Sequence, residues 1–344
     1  MCALKTHMTI FERSFRMSEQ NKVEIVNAYD NTEELAARFP TIHPTPIETQ
    51  MEKNIQNRLL TGFENWNRGF DAWKAWGDIL YTPDSLYNVH AVHLTLREYQ
   101  NAMMATLRSN NILMGDFRHM VIVDDWCAIH YDIATVSRAT GETTPGSVME
   151  FVHFKDYGPA LGTRVVEGWA GTRGPDYAGL GYFQTPEEKA AQKAMMDAVA
   201  STVIPETDDL SVKYPVKNPT SVRTEYGRRT RDMILRDFEV WNRGAEAWAA
   251  WADTYYSPSL RYHTDAGTLT LEALKSETVK QATQSVTRRV FFDSMLISGE
   301  WAAIHYRTVT KDRETGNKEA GSRMQFLHFE EADGKLQVTE CWTK

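Results

Sequence analysis

Phe63-Glu-Asn-Trp-Asn-Arg-Gly69 returns as Phe238-Glu-Val-Trp-Asn-Arg-Gly244, 175 positions later, and this pair of stretches decides how the chain is read. Working outward, Ala128-Ile-His-Tyr131 returns as Ala303-Ile-His-Tyr306. Met149-Glu-Phe-Val-His-Phe154 returns as Met324-Gln-Phe-Leu-His-Phe329. All 10 tryptophans fall into pairs: Trp66, Trp73, Trp76 and Trp126 with Trp241, Trp248, Trp251 and Trp301, and Trp169 with Trp342. Two copies are too few for a solenoid, whose units need stacked neighbours. A period this long suits two complete domains, each burying its own core. The expected layout is an N-terminal extension over 1–30, a first domain over 31–170, a connector with a helix over 171–205, and a second domain over 206–344. Each copy then serves as a comparison for the other.

Hydrophobic spacing gives each copy the same order of elements. Trp66, Phe70, Trp73 and Gly77 recur at three or four residues and make one helical face. Asn67, Asp71 and Asp78 lie opposite. Pro83 and Pro258 are expected to end the helices, because proline has no amide to donate. Beyond them the period falls to two. Strands are expected at Leu86 to His93, Phe117 to Val123, Trp126 to Ser137, Val148 to Lys155 and Thr163 to Ala170, with a short helix over Leu94 to Leu107. Helices followed by an antiparallel run imply an α+β fold with helices on one face of each sheet. A helix over Pro186 to about Val203 belongs to the connector.

Composition excludes several partners. With 38 basic and 46 acidic residues the formal net charge is -8, which disfavours a phosphate-backbone partner. Three cysteines are too few and too scattered for a disulfide framework or a zinc site. No apolar run approaches the about 20 residues of a membrane span. Met1 to Met17 lacks the apolar stretch of a secretory signal, and Met17 could be the true start. The expectation is a cytoplasmic globular protein with no nucleic-acid or membrane partner. Gly-x-Gly occurs at Gly179-Leu-Gly181 without a preceding strand, and HExxH, CxxC and Gly-x-Ser-x-Gly do not occur. Neither a cofactor nor a metal is expected.

The sequence of a helix, Trp-Asn-Arg-Gly, a tryptophan-rich helix, Tyr81-Thr-Pro-Asp84 and a curved sheet ending in Glu167-Gly-Trp169 resembles the SnoaL-like branch of the NTF2-like superfamily. The second copy, with Tyr256-Ser-Pro258, Phe326-Leu-His-Phe-Glu-Glu-Ala-Asp-Gly-Lys335 and Glu340-Cys-Trp342, resembles it further. The resemblance implies two tandem cones, each with helices closing a curved antiparallel sheet around a mostly apolar pocket. It also implies that convex sheet faces pair, so a tandem copy would form an intramolecular pseudo-dimer. Polyketide cyclases, dehydratases and steroid isomerases share this shape with non-catalytic proteins, so shape alone does not assign a reaction.

Alternation sorts the candidate site residues. Cys127, Ile129, Tyr131 and Ile133 share one strand face; His130 shares the other with Trp126, Ala128 and Asp132. The resemblance turns the Tyr131 face and Glu150 toward the pocket, and His130 and His153 outward. The better preserved outward set, with counterparts His305 and His328, reads as an interface or, alternatively, as catalytic. His119, replaced by Ser294 in the second copy, stands where dehydratases of this family keep a catalytic histidine; otherwise it is an ordinary partly exposed strand-end residue. Glu150 is replaced by Gln325. A histidine and a carboxylate facing one apolar pocket would form a proton-transfer pair. The family's partner aspartate is absent from its helix position, where Asn67 or Asp71 stands.

His119, Glu150 and Tyr131 are therefore the expected catalytic set. Asn67, Trp73, Ile129, His263, Asp265 and Tyr306 are the expected substrate-binding residues, His263 and Asp265 lying at i and i+2 on one strand face. Glu167 and Glu340 rank below Glu150. The expected activity is that of a cofactor-free lyase or isomerase (dehydratase- or cyclase-like) on a hydrophobic small molecule such as a steroid, bile acid or aromatic polyketide. The alternative is a non-catalytic binding or assembly protein. Divergence at positions 119 and 150 points to an active first cone and a degenerate second.

Overall fold

The computed structural model describes residues 23–89, 92–172 and 185–344. The proposed start at Met17 and the Gly179-Leu-Gly181 stretch lie outside them. In the first half the elements run α1 (Thr32–Arg38), β1 (Thr41–Pro44), α2 (Gln50–Asn67), α3 (Phe70–Leu80), β2 (Tyr81–Val89), β3 (Val92–Thr95), α4 (Leu96–Ser109), β4 (Asn110–Val123), β5 (Trp126–Ser137), β6 (Thr143–Asp156) and β7 (Thr163–Thr172). Helix α5 (Pro186–Ala200) follows. The second half repeats the order: α6 (Leu210–Lys213), β8 (Val216–Pro219), α7 (Glu225–Asn242), α8 (Ala245–Tyr255), β9 (Tyr256–Thr264), β10 (Gly267–Leu269), α9 (Leu271–Ala282), β11 (Ser285–Ser298), β12 (Trp301–Asp312), β13 (Lys318–Ala332) and β14 (Lys335–Thr343).

The two halves have one topology, β1-β4-β5-β6-β7-β2-β3 and its equivalent β8-β11-β12-β13-β14-β9-β10. This is an α+β arrangement of two tandem cones, each with helices packed on one seven-stranded sheet. Two features depart from the expected antiparallel run. β1 pairs with β4 in parallel, and β2 with β7 in parallel, so each sheet is mixed and has seven strands. Pro83 also does not stop the helix, which ends at Leu80; it lies within β2, where its missing amide falls in an irregular stretch of the pairing with β7.

The repeated Trp-Asn-Arg-Gly stretch is explained by what each residue holds. Trp66 Nε1 donates to the Ile112 carbonyl at 2.7 Å, and Trp241 Nε1 to that of Thr287 at 2.8 Å. Asn67 and Asn242 each exchange two hydrogen bonds with the backbone of one residue, Met114 and Arg289. Gly69 and Gly244 have φ of +115° and +119°, which lets the chain turn between consecutive helices. The stretch therefore pins a helix to the long strand beside a β-bulge, which bends the sheet.

Alternation along the strands separates two apolar layers. Phe117, Ile129, Tyr131 and Val152 join the helices in the first core; Phe292, Ile304, Tyr306 and Leu327 do so in the second. The opposite faces meet each other. Val121, Trp126, Ala128 and Phe151 share a buried cluster with Leu296, Trp301, Ala303 and Phe326. Beside it, Arg223 reaches Glu48 and Glu52 at 2.7 Å and Asp124 at 3.0 Å. Burial pushes the Glu52 carboxyl up, but hydrogen bonds from Arg223 and the amides of Thr49, Glu48 and Asp124 outweigh that and hold it below its ordinary value.

Candidate functional site

The inner wall of the first cone carries Glu150 on β6 beside Tyr131 on β5. Tyr131 Oη donates to Glu150 Oε1 at 2.6 Å. Around them stand Tyr81 and Tyr87 from β2 and Tyr99 from α4, with the Tyr87 and Tyr99 rings stacked at 4.4 Å. Burial pushes the Glu150 carboxyl above the usual carboxylate range, and hydrogen bonds from Tyr131 and Tyr87 pull it part of the way back. Burial also raises the Tyr131 phenol, with the Glu150 charge adding to it, so this hydroxyl stays protonated and donates. A carboxyl whose proton affinity is raised toward neutrality, and which is fixed by phenol donors, can take and return a proton.

His119 is not part of this arrangement. It lies within β4 and is fully buried, on the sheet face opposite Glu150. Its ring stacks on Phe326 at 4.9 Å and lies 4.4 Å from Trp301, both from the second half. The expected histidine–carboxylate pair on one pocket wall is therefore not assembled, and His119 is not a partly exposed strand-end residue. The cause is the pair of bulges around Phe117, which resets the alternation of β4: Phe117 and Met120 face the core, and His119 and Val121 the other half.

His119 Nδ1 instead lies 3.2 Å from His130 Nδ1, and the Nε2 atoms of both have no partner among the described residues. Burial lowers both, His119 well below its ordinary value and His130 to about 3. His305, the counterpart of His130, is likewise buried, and burial depresses it strongly. His153 and His328 have a different setting. They stack on Trp126 and Trp301 at 4.6 and 4.7 Å, with Nε2 at 3.0 Å from Asp125 and 3.3 Å from Glu300.

The remaining expected residues divide between packing and pockets. Trp73 and Ile129 are buried in the first core, Trp73 edge-on to Trp66. Both functional ends of the Asn67 amide are engaged by Met114, which leaves it a scaffold role rather than a pocket one. His263 and Asp265 do not act as one strand-face pair, because β9 ends at Thr264 and Asp265 lies beyond it. His263 stacks on Trp342 at 3.8 Å and meets Glu340 at 2.9 Å, while Asp265 takes Lys344 at 3.0 Å. Glu167 accepts from the Trp169 indole at 2.9 Å.

The second cone is open. A cavity of about 400 Å³ is bounded by Trp241, Trp248, Tyr256, Tyr262 and Tyr306, and by Arg289. In place of Glu150, Gln325 donates to the Tyr262 hydroxyl at 3.1 Å, so this wall carries no carboxyl at that position. Arg289 is buried and paired with the equally buried Asp237, which also accepts from Trp248 Nε1 at 2.9 Å. Sequence reasoning missed this pair. Its signal was available, because the counterparts Gly62 and Met114 are both neutral, so opposite charges enter the second copy together.

No protein-family profile matches the chain, and no curated protein matches it. Solved structures do. A ketosteroid isomerase-like protein from Erwinia carotovora atroseptica is 15% identical and is covered over 100% of its length by 37% of this chain, with a TM-score of 0.29. A SnoaL-like polyketide cyclase from Agrobacterium tumefaciens is 11% identical over 33% of this chain and 88% of its own, with a TM-score of 0.28. ActVI-ORFA from Streptomyces coelicolor is 15% identical over 36% of this chain and 95% of its own, with a TM-score of 0.30. Among the described residues, no helix is long and apolar enough to cross a membrane.

Proposed function

We propose that the first cone is a cofactor-independent proton-transfer site, a lyase or isomerase for an apolar small molecule. The observation that carries this reading is the Tyr131–Glu150 hydrogen bond of 2.6 Å on the inner wall of the cone. Glu150 takes a proton from a carbon beside a carbonyl and returns it to a neighbouring carbon or to a departing hydroxyl. Tyr131 and Tyr87 orient the carboxyl, each giving it the one proton a phenol can donate. The aromatic wall supplies area for a flat or polycyclic body such as a steroid or aromatic polyketide. His119 has no step in this scheme.

The test is incubation of the full chain with a metabolite extract containing sterols, bile acids and aromatic polyketides, followed by mass spectrometry. A compound consumed by the wild type, replaced by one of equal mass or lighter by one water, and left untouched by Glu150→Gln supports the reading. Equal turnover by Glu150→Gln overturns it.

The arrangement of the halves belongs to the same reading: 31–170 and 206–344 are two domains paired back to back as a pseudo-dimer. Arg223 and Glu48 occupy equivalent positions in the two copies and bind each other at 2.7 Å, as residues near a two-fold axis do.

A further inference from the structure

We infer that the second cone is a binding site for an organic carboxylate, whose anionic group is taken by Arg289 and Arg323 and whose flat apolar body lies against Trp241, Trp248 and Tyr256. The inference is independent of any chemistry at Glu150, because it concerns the other cavity.

Arg289 is built into the cavity wall. It is only 5% exposed, its backbone is held by Asn242, and its guanidinium carbon lies 4.2 Å from the Trp241 ring centroid. A guanidinium has five N–H donors. Nη1 is committed to Asp237; the other nitrogens have no acceptor among the described residues and are not sealed from solvent. Arg323 stands opposite Tyr306 on β13 and lines the same space, with no carboxylate paired to it among the described residues. Both guanidinium charges act on the Tyr306 and Tyr262 phenols, which places them around one volume. The acids of the wall already face cations: Asp265 holds Lys344 at 3.0 Å, and Glu277 lies 3.8 Å from Lys280. What remains unsatisfied is positive.

The first cone shows that the fold does not require these charges. Its equivalents of Asp237, Arg289 and Arg323 are Gly62, Met114 and Val148. Met114 and Val148 pack into the first core, and a Cβ at Gly62 would come within 2.7 Å of Trp76. Taking an arginine and an aspartate out of water is costly even when they pair. The second copy carries that cost beside an open cavity, with Arg289 donors left over. Aromatic faces and forked donors together suit a flat body ending in a carboxylate.

Isothermal titration of the full chain with 1-naphthoate, against the neutral 1-naphthalenemethanol, tests this. Expected are saturable binding of the carboxylate, at least about tenfold tighter than the alcohol, and loss of that preference in Asp237→Ala/Arg289→Met. The double variant removes both buried charges together. Arg323→Val, at an exposed position, should weaken naphthoate by about tenfold and leave the alcohol unchanged, and it tests the site even where the double variant fails to fold. Equal affinity for acid and alcohol, no saturation up to millimolar naphthoate, or full carboxylate preference in Arg323→Val would each overturn the inference.

Discussion

The two cones share one topology and differ in what occupies the inner wall. In the first, Ile112, Met114, Ile133 and Val148 pack against the core, and the wall carries the Glu150 carboxyl held by Tyr131. In the second, the equivalent positions are Thr287, Arg289, Thr308 and Arg323, which line a cavity of about 400 Å³. Core side chains of the first cone have become cavity walls in the second. The same backbone therefore carries apolar side chains at these positions in one copy and polar ones in the other. The two cones thus carry different candidates: proton transfer in the first and anion binding in the second.

The largest expected effect tests whether Asp237 and Arg289 act as a unit. Arg289→Met alone leaves Asp237 buried with Trp248 as its remaining partner and should cost about 3–5 kcal/mol in urea denaturation. Adding Asp237→Ala should recover part of that loss. Equal losses in the single and double variants would mean that the positions are independent. Next in size is the contact between the halves: Arg223→Ala leaves the buried Glu52 carboxylate without its cation and should cost about 2 kcal/mol in the same assay. An unchanged midpoint would remove Arg223 from the account of how the halves hold together.

The buried histidines should make the contact between halves labile to acid. His119 and His130 lie below their ordinary value in the folded chain, to about 3 for His130, so below pH 6.5 the unfolded chain binds protons that the folded chain does not. Their contribution is fully present above about pH 6.5 and declines as pH falls toward the folded values, by up to about 1.4 kcal/mol per pH unit per histidine. His119→Ser, the residue of the second copy, should flatten stability against pH between 4 and 6.5. An identical slope would assign the acid lability elsewhere.

Glu150 has the opposite sign and a smaller effect. Its folded value is raised, so the folded chain binds the extra proton, and stability declines as pH rises from 4.5 through the raised value. Glu150→Gln makes the first cone match the second at this position and should remove that decline. A decline that persists in Glu150→Gln would show that Glu150 does not titrate with folding.

The duplication and the run of helices followed by strands were legible from local chemistry, namely tryptophan spacing and the shift from a period of 3.6 to one of 2; β1, β8 and the division of the strand expected at Leu86 to His93 into β2 and β3 were not. Strand alternation also separated the Tyr131 face from the His130 face, because side chains on a strand must alternate. The parallel pairings were not legible, since they join segments far apart in the chain. Nor was the side taken by His119, which depends on bulges that only the fitting of a curved sheet against helix and partner strand positions. The Asp237–Arg289 pair lay in the text as two coincident substitutions 52 residues apart. Only the packing of α7 against β11 brought those charges together and left a cavity beside them, because an ion pair is a matter of distance and solvent exclusion, and neither is carried by sequence spacing.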